Sequence, residues 1–255
     1  MSLLRAERLR VRVGGRTLLD GLDLAVEAGT VWAVLGRNGA GKTTLLHTLA
    51  GLRPAAAGCI HLNGEPLAAW SRRAIARRIG LLPQDNHDPF PATVLETALI
   101  GRHPHLEPWR WEDRTDRDLA LDALRLVGLE TFAARDVGSL SGGERRRLAM
   151  ATLLTQDPGL MLLDEPSNHL DLHHQVQLLG LLSERNRSPG RGALMTLHDV
   201  NLADRFCTHA LLLFPDAPPL AGPCGEVLNE GTLTQLYGHP IRKLHDRDRR
   251  AFLAD

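Results

Sequence analysis

The chain has 255 residues, enough for one large α/β domain with an inserted lobe. Thirty basic and thirty acidic side chains balance, so no overall field draws it to nucleic acid or to an anionic membrane surface. Hydrophobic residues make up 43 % and charged residues 24 %, and no apolar run reaches the roughly 18–20 residues that span a bilayer. These values predict a globular chain that stays in the cytoplasm and meets a membrane only through a partner.

Alternation and turn residues place strands at 8–13 and 22–26, with Gly14-Gly15 as a turn after the first. An apolar run at 31–35 suits a fully buried strand, and a Gly-rich loop at 36–41 leads into a helix over 42–50. A strand at 60–63 ends on Asn63-Gly64, a short basic helix covers 72–78, and a strand at 79–83 closes on Gln84. From 85 to about 157 the pattern turns helical, with helices at 93–100, 113–127 and 141–155. Leu119, Ala123, Leu126 and Val127 form the expected apolar face of the second. Strands return at 160–163, 193–197 and 210–214, with an apolar helix at 170–185. Alternating strands and helices predict a mostly parallel sheet covered on both faces, and 85–157 reads as a lobe inserted into it. The charges from Arg242 to Arg250 predict a solvated tail. Cys59, Cys207 and Cys224 lack CxxC spacing and read as reduced, mostly packed thiols. The pairs His103/His105 and His173/His174 are candidate metal ligands that lack the convergent set a metal usually needs.

Three segments carry chemistry. Gly36-Arg-Asn-Gly-Ala-Gly-Lys42-Thr43 fits G-x-x-x-x-G-K-[ST], between the strand and the helix that this motif requires. Its glycines let backbone amides converge on phosphate oxygens, and the helix start adds partial positive charge. Lys42 is suited to neutralise β- and γ-phosphates and Thr43 to offer a hydroxyl to Mg²⁺; Lys42 and Lys243 are the only lysines in the chain. Leu160-Met-Leu-Leu-Asp164-Glu165 delivers two carboxylates to the end of a buried strand. Asp164 can hold Mg²⁺ through water, and Glu165 can face an attacking water as general base. Leu140-Ser-Gly-Gly-Glu144 contains a capping box and two glycines that leave the amides of a helix start uncovered, a second anion site.

Together these segments resemble an ATP-binding cassette (ABC) ATPase over about residues 5–240. The resemblance implies a P-loop NTPase (RecA-like) parallel-sheet core with an N-terminal antiparallel β subdomain and an inserted α-helical lobe. It implies one ABC ATPase domain: core at 1–84 and 158–240, lobe at 85–157, charged tail at 241–255. Walker A is then 36–43, the signature 140–144 and Walker B 160–164. Gln84 resembles the Q-loop glutamine, Ser167-Asn-His-Leu-Asp171 the D-loop and His198 the switch histidine. The implied ATP contacts are Gly36, Asn38, Gly39, Ala40, Gly41, Lys42, Thr43 and Thr44. The implied catalytic residues are Glu165, His198 and Gln84, and Thr43, Gln84 and Asp164 are the implied Mg²⁺ residues. The family also implies a head-to-tail, ATP-dependent homodimer in which Ser141, Gly142 and Gly143 serve the partner's nucleotide. One departure concerns adenine: where the family carries a stacking aromatic, this chain has Val13 between Arg12 and Arg16.

Ile100-Gly-Arg-His-Pro-His105, His198-Asp-Val-Asn-Leu202, Leu170-Asp-Leu-His-His-Gln175 and Glu226-Val-Leu…Leu236-Tyr-Gly238 resemble the ATPases of iron–siderophore, haem and vitamin B12 importers. That subgroup implies multi-spanning permease subunits, an indirectly acting periplasmic or lipoprotein substrate-binding protein, no nucleic-acid partner, and a peripheral place on the cytoplasmic face of the inner membrane. A permease helix is expected beside Gln84, at about 85–105, with Phe90 as anchor and Asp85, Asp88, Arg102, His103 and His105 as its rim. The alternatives are an unfused exporter ATPase, a P-loop kinase, which the signature argues against, and a non-transport ABC protein. The last usually carries a long coiled coil or tandem cassettes, and this sequence has neither.

Overall fold

The computed structural model describes residues 2–84, 91–107, 109–168, 170–246 and 249–255, with backbone alone at 245, 246 and 249. In chain order the elements are β1 (Ser2–Val13), β2 (Arg16–Glu27), β3 (Val31–Gly36), α1 (Lys42–Leu49), β4 (Ala57–Leu62), β5 (Glu65–Pro66), α2 (Arg72–Ala76), β6 (Ile79–Leu82), α3 (Val94–Leu99), α4 (Arg114–Leu126), α5 (Gly142–Gln156) and β7 (Leu160–Leu163). Then follow α6 (Leu172–Asn186), β8 (Gly192–Thr196), α7 (Val200–Phe206), β9 (His209–Leu213), β10 (Leu220–Pro223), α8 (Cys224–Val227), α9 (Glu230–Tyr237), β11 (Ile241–Asp246) and β12 (Arg249–Ala254).

A six-stranded sheet runs β10-β9-β3-β8-β7-β6, parallel except at the β10 edge. Its strands are apolar on both faces, and side chains alternate between two cores. Val31, Ala33 and Leu35 of β3 point into the core that includes α6 and the lobe, whereas Trp32 and Val34 point into the core of α1 and a second sheet. That second sheet, β2-β1-β4-β5, is antiparallel and N-terminal. The stretch between β6 and β7 carries α3, α4 and α5. This is the α/β arrangement expected from the sequence: a parallel core, an antiparallel subdomain and an inserted helical lobe.

Three expectations are corrected. β1 begins at Ser2 rather than 8, because Arg8 at φ 46° forms a bulge that slips the alternation. On α4 the buried face is Ala120, Ala123 and Leu124 with Val127 just beyond, while Leu119 and Leu126 are exposed. The phase is set by Asp116, a charged residue on the inner face that sequence periodicity counts as outer; its carboxylate takes a 2.7 Å bond from Arg102. The charged tail is a folded β11–β12 hairpin. Phe252 is buried, Asn201 brackets its backbone with bonds of 2.7 and 3.1 Å, and Arg250 pairs with Asp204. Its charges are spent partly on docking against α7.

Candidate functional site

The glycine-rich loop leaves the carboxyl end of β3 and turns into α1. Gly41, the residue before α1, sits at φ 94°, and no side chain caps the helix, so its first amides remain open to an anion. A Cβ on Gly36 would lie 2.9 Å from the Leu213 carbonyl oxygen, so the loop cannot start with a larger residue there. Lys42 Nζ donates to the carbonyls of Gly36 at 2.8 Å and Arg37 at 3.3 Å. Burial pushes the Lys42 ammonium pKa down, opposed by the nearby carboxylates of Glu165 and Asp164.

The carboxylates come from the end of β7. Asp164 is buried; its Oδ1 accepts from Thr196 Oγ1 at 2.7 Å, and its Oδ2 has no hydrogen-bond partner among the described residues. A buried anionic oxygen held in place and left without a donor suits a cation shell, so the residues present fit Mg²⁺. Glu165 adopts φ 50°, the left-handed region a side chain rarely enters. Two bonds fasten it there: its amide donates to Thr196 Oγ1 at 2.8 Å, and its carbonyl accepts from Arg146 Nη2 at 2.9 Å. Its carboxylate is the meeting point of the site. Gln84 Nε2 reaches Oε2 at 3.3 Å, the Asn168 amide reaches the same oxygen, and His198 Nε2 lies 2.6 Å from Oε1.

Asn38, Gly39, Ala40, Gly41, Lys42, Thr43 and Thr44 line one cleft of about 590 Å³ with Gln84, Glu165 and His198. Val13, Arg16 and Leu18 also line it. Arg12 does not, since its guanidinium folds back to donate to the Gly15 carbonyl at 2.8 Å. Ser141, Gly142 and Gly143 are not brought into this cleft. They stand at the exposed start of α5, where Ser141 and Glu144 form the capping box predicted from sequence. A Cβ built on Gly142 meets nothing within 4 Å, so that helix start faces open space.

Sequence reasoning missed Arg146, Asn168 and Thr196. Arg146 is 5 % exposed and donates to the carbonyls of Pro83 at 2.6 Å, Gln84 at 3.2 Å, Asp164 and Glu165. It ties the capped helix α5 to the ends of β6 and β7, yet in the run Arg145-Arg146-Arg147 nothing marks it as buried. A better signal was open for Thr196, a hydroxyl closing an otherwise apolar strand. Asn168 lay inside a recognised motif.

The 100–105 segment is a structural clasp. A Cβ on Gly101 would lie 2.2 Å from the Thr152 carbonyl oxygen, Arg102 pairs inward with Asp116, and His105 Nε2 lies 2.9 Å from the Gln156 carbonyl. Arg102 and His105 are therefore engaged within the fold rather than on a rim. His103 stays exposed, 3.7 Å from Glu112. His174 Nδ1 lies 2.9 Å from Asp171, and the His173 and His174 rings pack edge-on, centroids 5.4 Å apart. Among the described residues neither histidine pair belongs to a cluster of three metal-binding side chains. Asp85, Asp88 and Phe90, and His169 of the 167–171 motif, lie outside the described residues. Trp109 and Trp111, which the sequence reading passed over, are 100 % and 85 % exposed on the lobe.

The profile of the ABC transporter family matches residues 19–168, more than half of the chain. The hemin import ATP-binding protein HmuV of Streptomyces coelicolor is 42 % identical over 241 residues, covering 94 % of this chain and 84 % of that protein. The ferric enterobactin transport ATP-binding protein FepC of Escherichia coli is 37 % identical over 239 residues, covering 93 % and 88 %. Among solved structures, an inward-facing ABC transporter described as of the metal-chelate type superposes with a TM-score of 0.85 at 28 % identity, covering 100 % of this chain and 98 % of that one.

Proposed function

The chain belongs to the ABC transporter family as one of its ATP-binding, ATP-hydrolysing subunits, and from that premise we propose that it powers import of an iron chelate, a siderophore complex or haem, through a separate multi-spanning permease. The observation that carries the reading is the convergence of Lys42, Glu165 and His198 on one cleft. The cargo class is supported by the relatives, whose names assign hemin to one and ferric enterobactin to another. Vitamin B12 has no such support among the relatives described.

In this proposal the open amides of the 36–43 loop and Lys42 hold the β- and γ-phosphates. Thr43, Asp164 and Gln84 would hold Mg²⁺, which would supply positive charge against the charge that develops in phosphoryl transfer. Glu165 orients a water and accepts its proton as the water oxygen attacks the γ-phosphorus and the bond to the β-phosphate oxygen breaks. His198 and Gln84 hold the Glu165 carboxylate from two sides.

A single chain leaves Ser141, Gly142 and Gly143 without a nucleotide, because they are not among the residues lining its own cleft. A head-to-tail homodimer supplies one, closing each ATP between the 36–43 loop of one copy and the start of α5 of the other. ATP then acts as a ligand of the dimer and stabilises it by mass action. Among the described residues no helix is long and apolar enough to cross a membrane. The proposed position is peripheral, on the cytoplasmic face of the inner membrane, with a periplasmic or lipoprotein substrate-binding protein acting on the far side. Trp109 and Trp111 offer the lobe an exposed aromatic anchor for the permease, of the kind in which interface energy concentrates.

The test is ATP-dependent uptake of a ferric siderophore or haem into vesicles holding the chain and its co-purified permease. Replacing Trp109 and Trp111 together by Ser is expected to lower uptake at least about tenfold, from the weight of aromatic anchors in interfaces, with the isolated ATPase retained. Uptake of neither cargo by a complex that hydrolyses ATP would overturn the importer reading.

A further inference from the structure

Glu7, Cys59 and His61 form a cluster on the outer face of the antiparallel sheet, remote in sequence from every motif used above. Their ligand atoms all lie within 4.8 Å of one another. The sheet register puts them there: Glu7 stands directly opposite Cys59 on the neighbouring strand, and His61 is two residues further along β4 on the same face. Gly58 makes the approach possible. It sits at φ 83°, and a Cβ there would lie 2.5 Å from the carbonyl oxygens of Glu7 and Arg8, so any other residue would force β4 away from β1.

We propose that Glu7, Cys59 and His61 bind a borderline-soft divalent metal ion, Zn²⁺ foremost. One thiolate, one imidazole and one carboxylate match the donor set of that class, with a fourth tetrahedral position open because Cys59 is exposed. The spacing agrees. Zinc–sulfur and zinc–oxygen bonds of about 2.3 and 2.0 Å at a tetrahedral angle separate the two ligand atoms by about 3.5 Å. Cys59 Sγ lies 3.8 Å from Glu7 Oε2. The other carboxylate oxygen, Glu7 Oε1, lies 3.0 Å from Arg5 Nε, so Oε2 is the one facing the thiol. The third ligand is His61, whose Nδ1 is buried and has no hydrogen-bond partner among the described residues. Elsewhere among the described residues no three such side chains converge. A metal here would cross-link β1 to β4.

The experiment is titration of the reduced full-length chain with Co²⁺, a spectroscopic stand-in, followed by displacement with Zn²⁺. The expected result is a thiolate-to-cobalt charge-transfer band that saturates with a single equivalent and disappears on adding Zn²⁺. Cys59→Ser is expected to lack the band and His61→Ala to bind at least tenfold more weakly. Zn²⁺ is expected to raise the Tm of the parent chain and leave that of Cys59→Ser unmoved. Cys59 is the thiol that can answer. Cys207 and Cys224 are buried, which pushes both pKa values up, that of Cys224 to about 12. No band, a band that survives Cys59→Ser, or an affinity unmoved by His61→Ala would each overturn the assignment; circular dichroism of each variant separates lost binding from lost fold.

Discussion

His198 Nε2 lies 2.6 Å from Glu165 Oε1, although the two residues follow different strands. β7 and β8 are parallel neighbours, so both residues emerge at the same carboxyl edge of the sheet. The contact thus follows from topology and sets the geometry of the acid that faces the cleft. His198→Ala is expected to lower ATP turnover about 10²-fold, the low end for groups assisting proton transfer, while ATP affinity changes little. Stopped-flow phosphate release and equilibrium nucleotide binding separate the two. Unchanged turnover would mean that Glu165 needs no such support.

Lys42→Ala removes the buried ammonium and its charge-assisted bonds, which contribute about 1.5–3 kcal/mol each. ATP affinity is expected to drop at least about tenfold, as measured by calorimetry on a variant whose melting curve shows it folded. Retained affinity would move phosphate binding away from the 36–43 loop.

Val13 is 40 % exposed at the wall of the cleft, beside Arg16. Val13→Tyr supplies a stacking face for adenine and is expected to tighten ATP binding by about 0.5–1.5 kcal/mol. Arg16→Ala is expected to weaken it. Equal ATP affinity in both variants and the parent would place the base elsewhere.

Asp116 and Arg102 join α4 to the 100–105 clasp through a 2.7 Å ion pair with both side chains largely buried. Burial alone would raise the Asp116 pKa, but the Arg102 guanidinium and the Asp113 amide outweigh it, leaving it below its ordinary 3.8. A carboxylate with a depressed folded pKa stabilises fully above its unfolded value and loses that contribution as pH falls through the folded one. Asp116→Asn is therefore expected to cost about 2 kcal/mol near neutral pH, typical for a hydrogen bond to a charged group. The gap to the parent should narrow below about pH 3.8. Urea unfolding across that range measures it; a gap independent of pH would show that the carboxylate's charge is not what holds the lobe.

Much of this was legible in the sequence because its signals are local. The glycine-rich loop, the apolar strand ending in two acids and the capping box each announce themselves within ten residues. What stayed hidden depends on contacts between distant segments. Arg146 looks like one member of a solvated run until β6 and β7 bring four carbonyls around it. The bulge at Arg8 broke the alternation that would have extended β1. Asp116 shifted the apparent face of α4: Ala123 and Val127 are buried as expected, but Leu119 and Leu126 are not, because a paired charge occupies an inner position. Asn201 reads as an ordinary helix residue until the last strand folds back to place Phe252 on it. That Ser141, Gly142 and Gly143 serve a partner's nucleotide came from family resemblance alone; within one chain they form an exposed helix start that does not line the cleft.

One variant tests both Glu165 as the base and ATP as the ligand that closes two copies of the chain. Glu165→Gln keeps the shape of the side chain and removes its basicity, so turnover is expected to fall roughly 10²–10⁴-fold while bound ATP persists. Size-exclusion chromatography of that variant should show monomer without nucleotide and dimer in Mg²⁺-free ATP. A monomer at every protein and ATP concentration, with or without permease, would contradict the account.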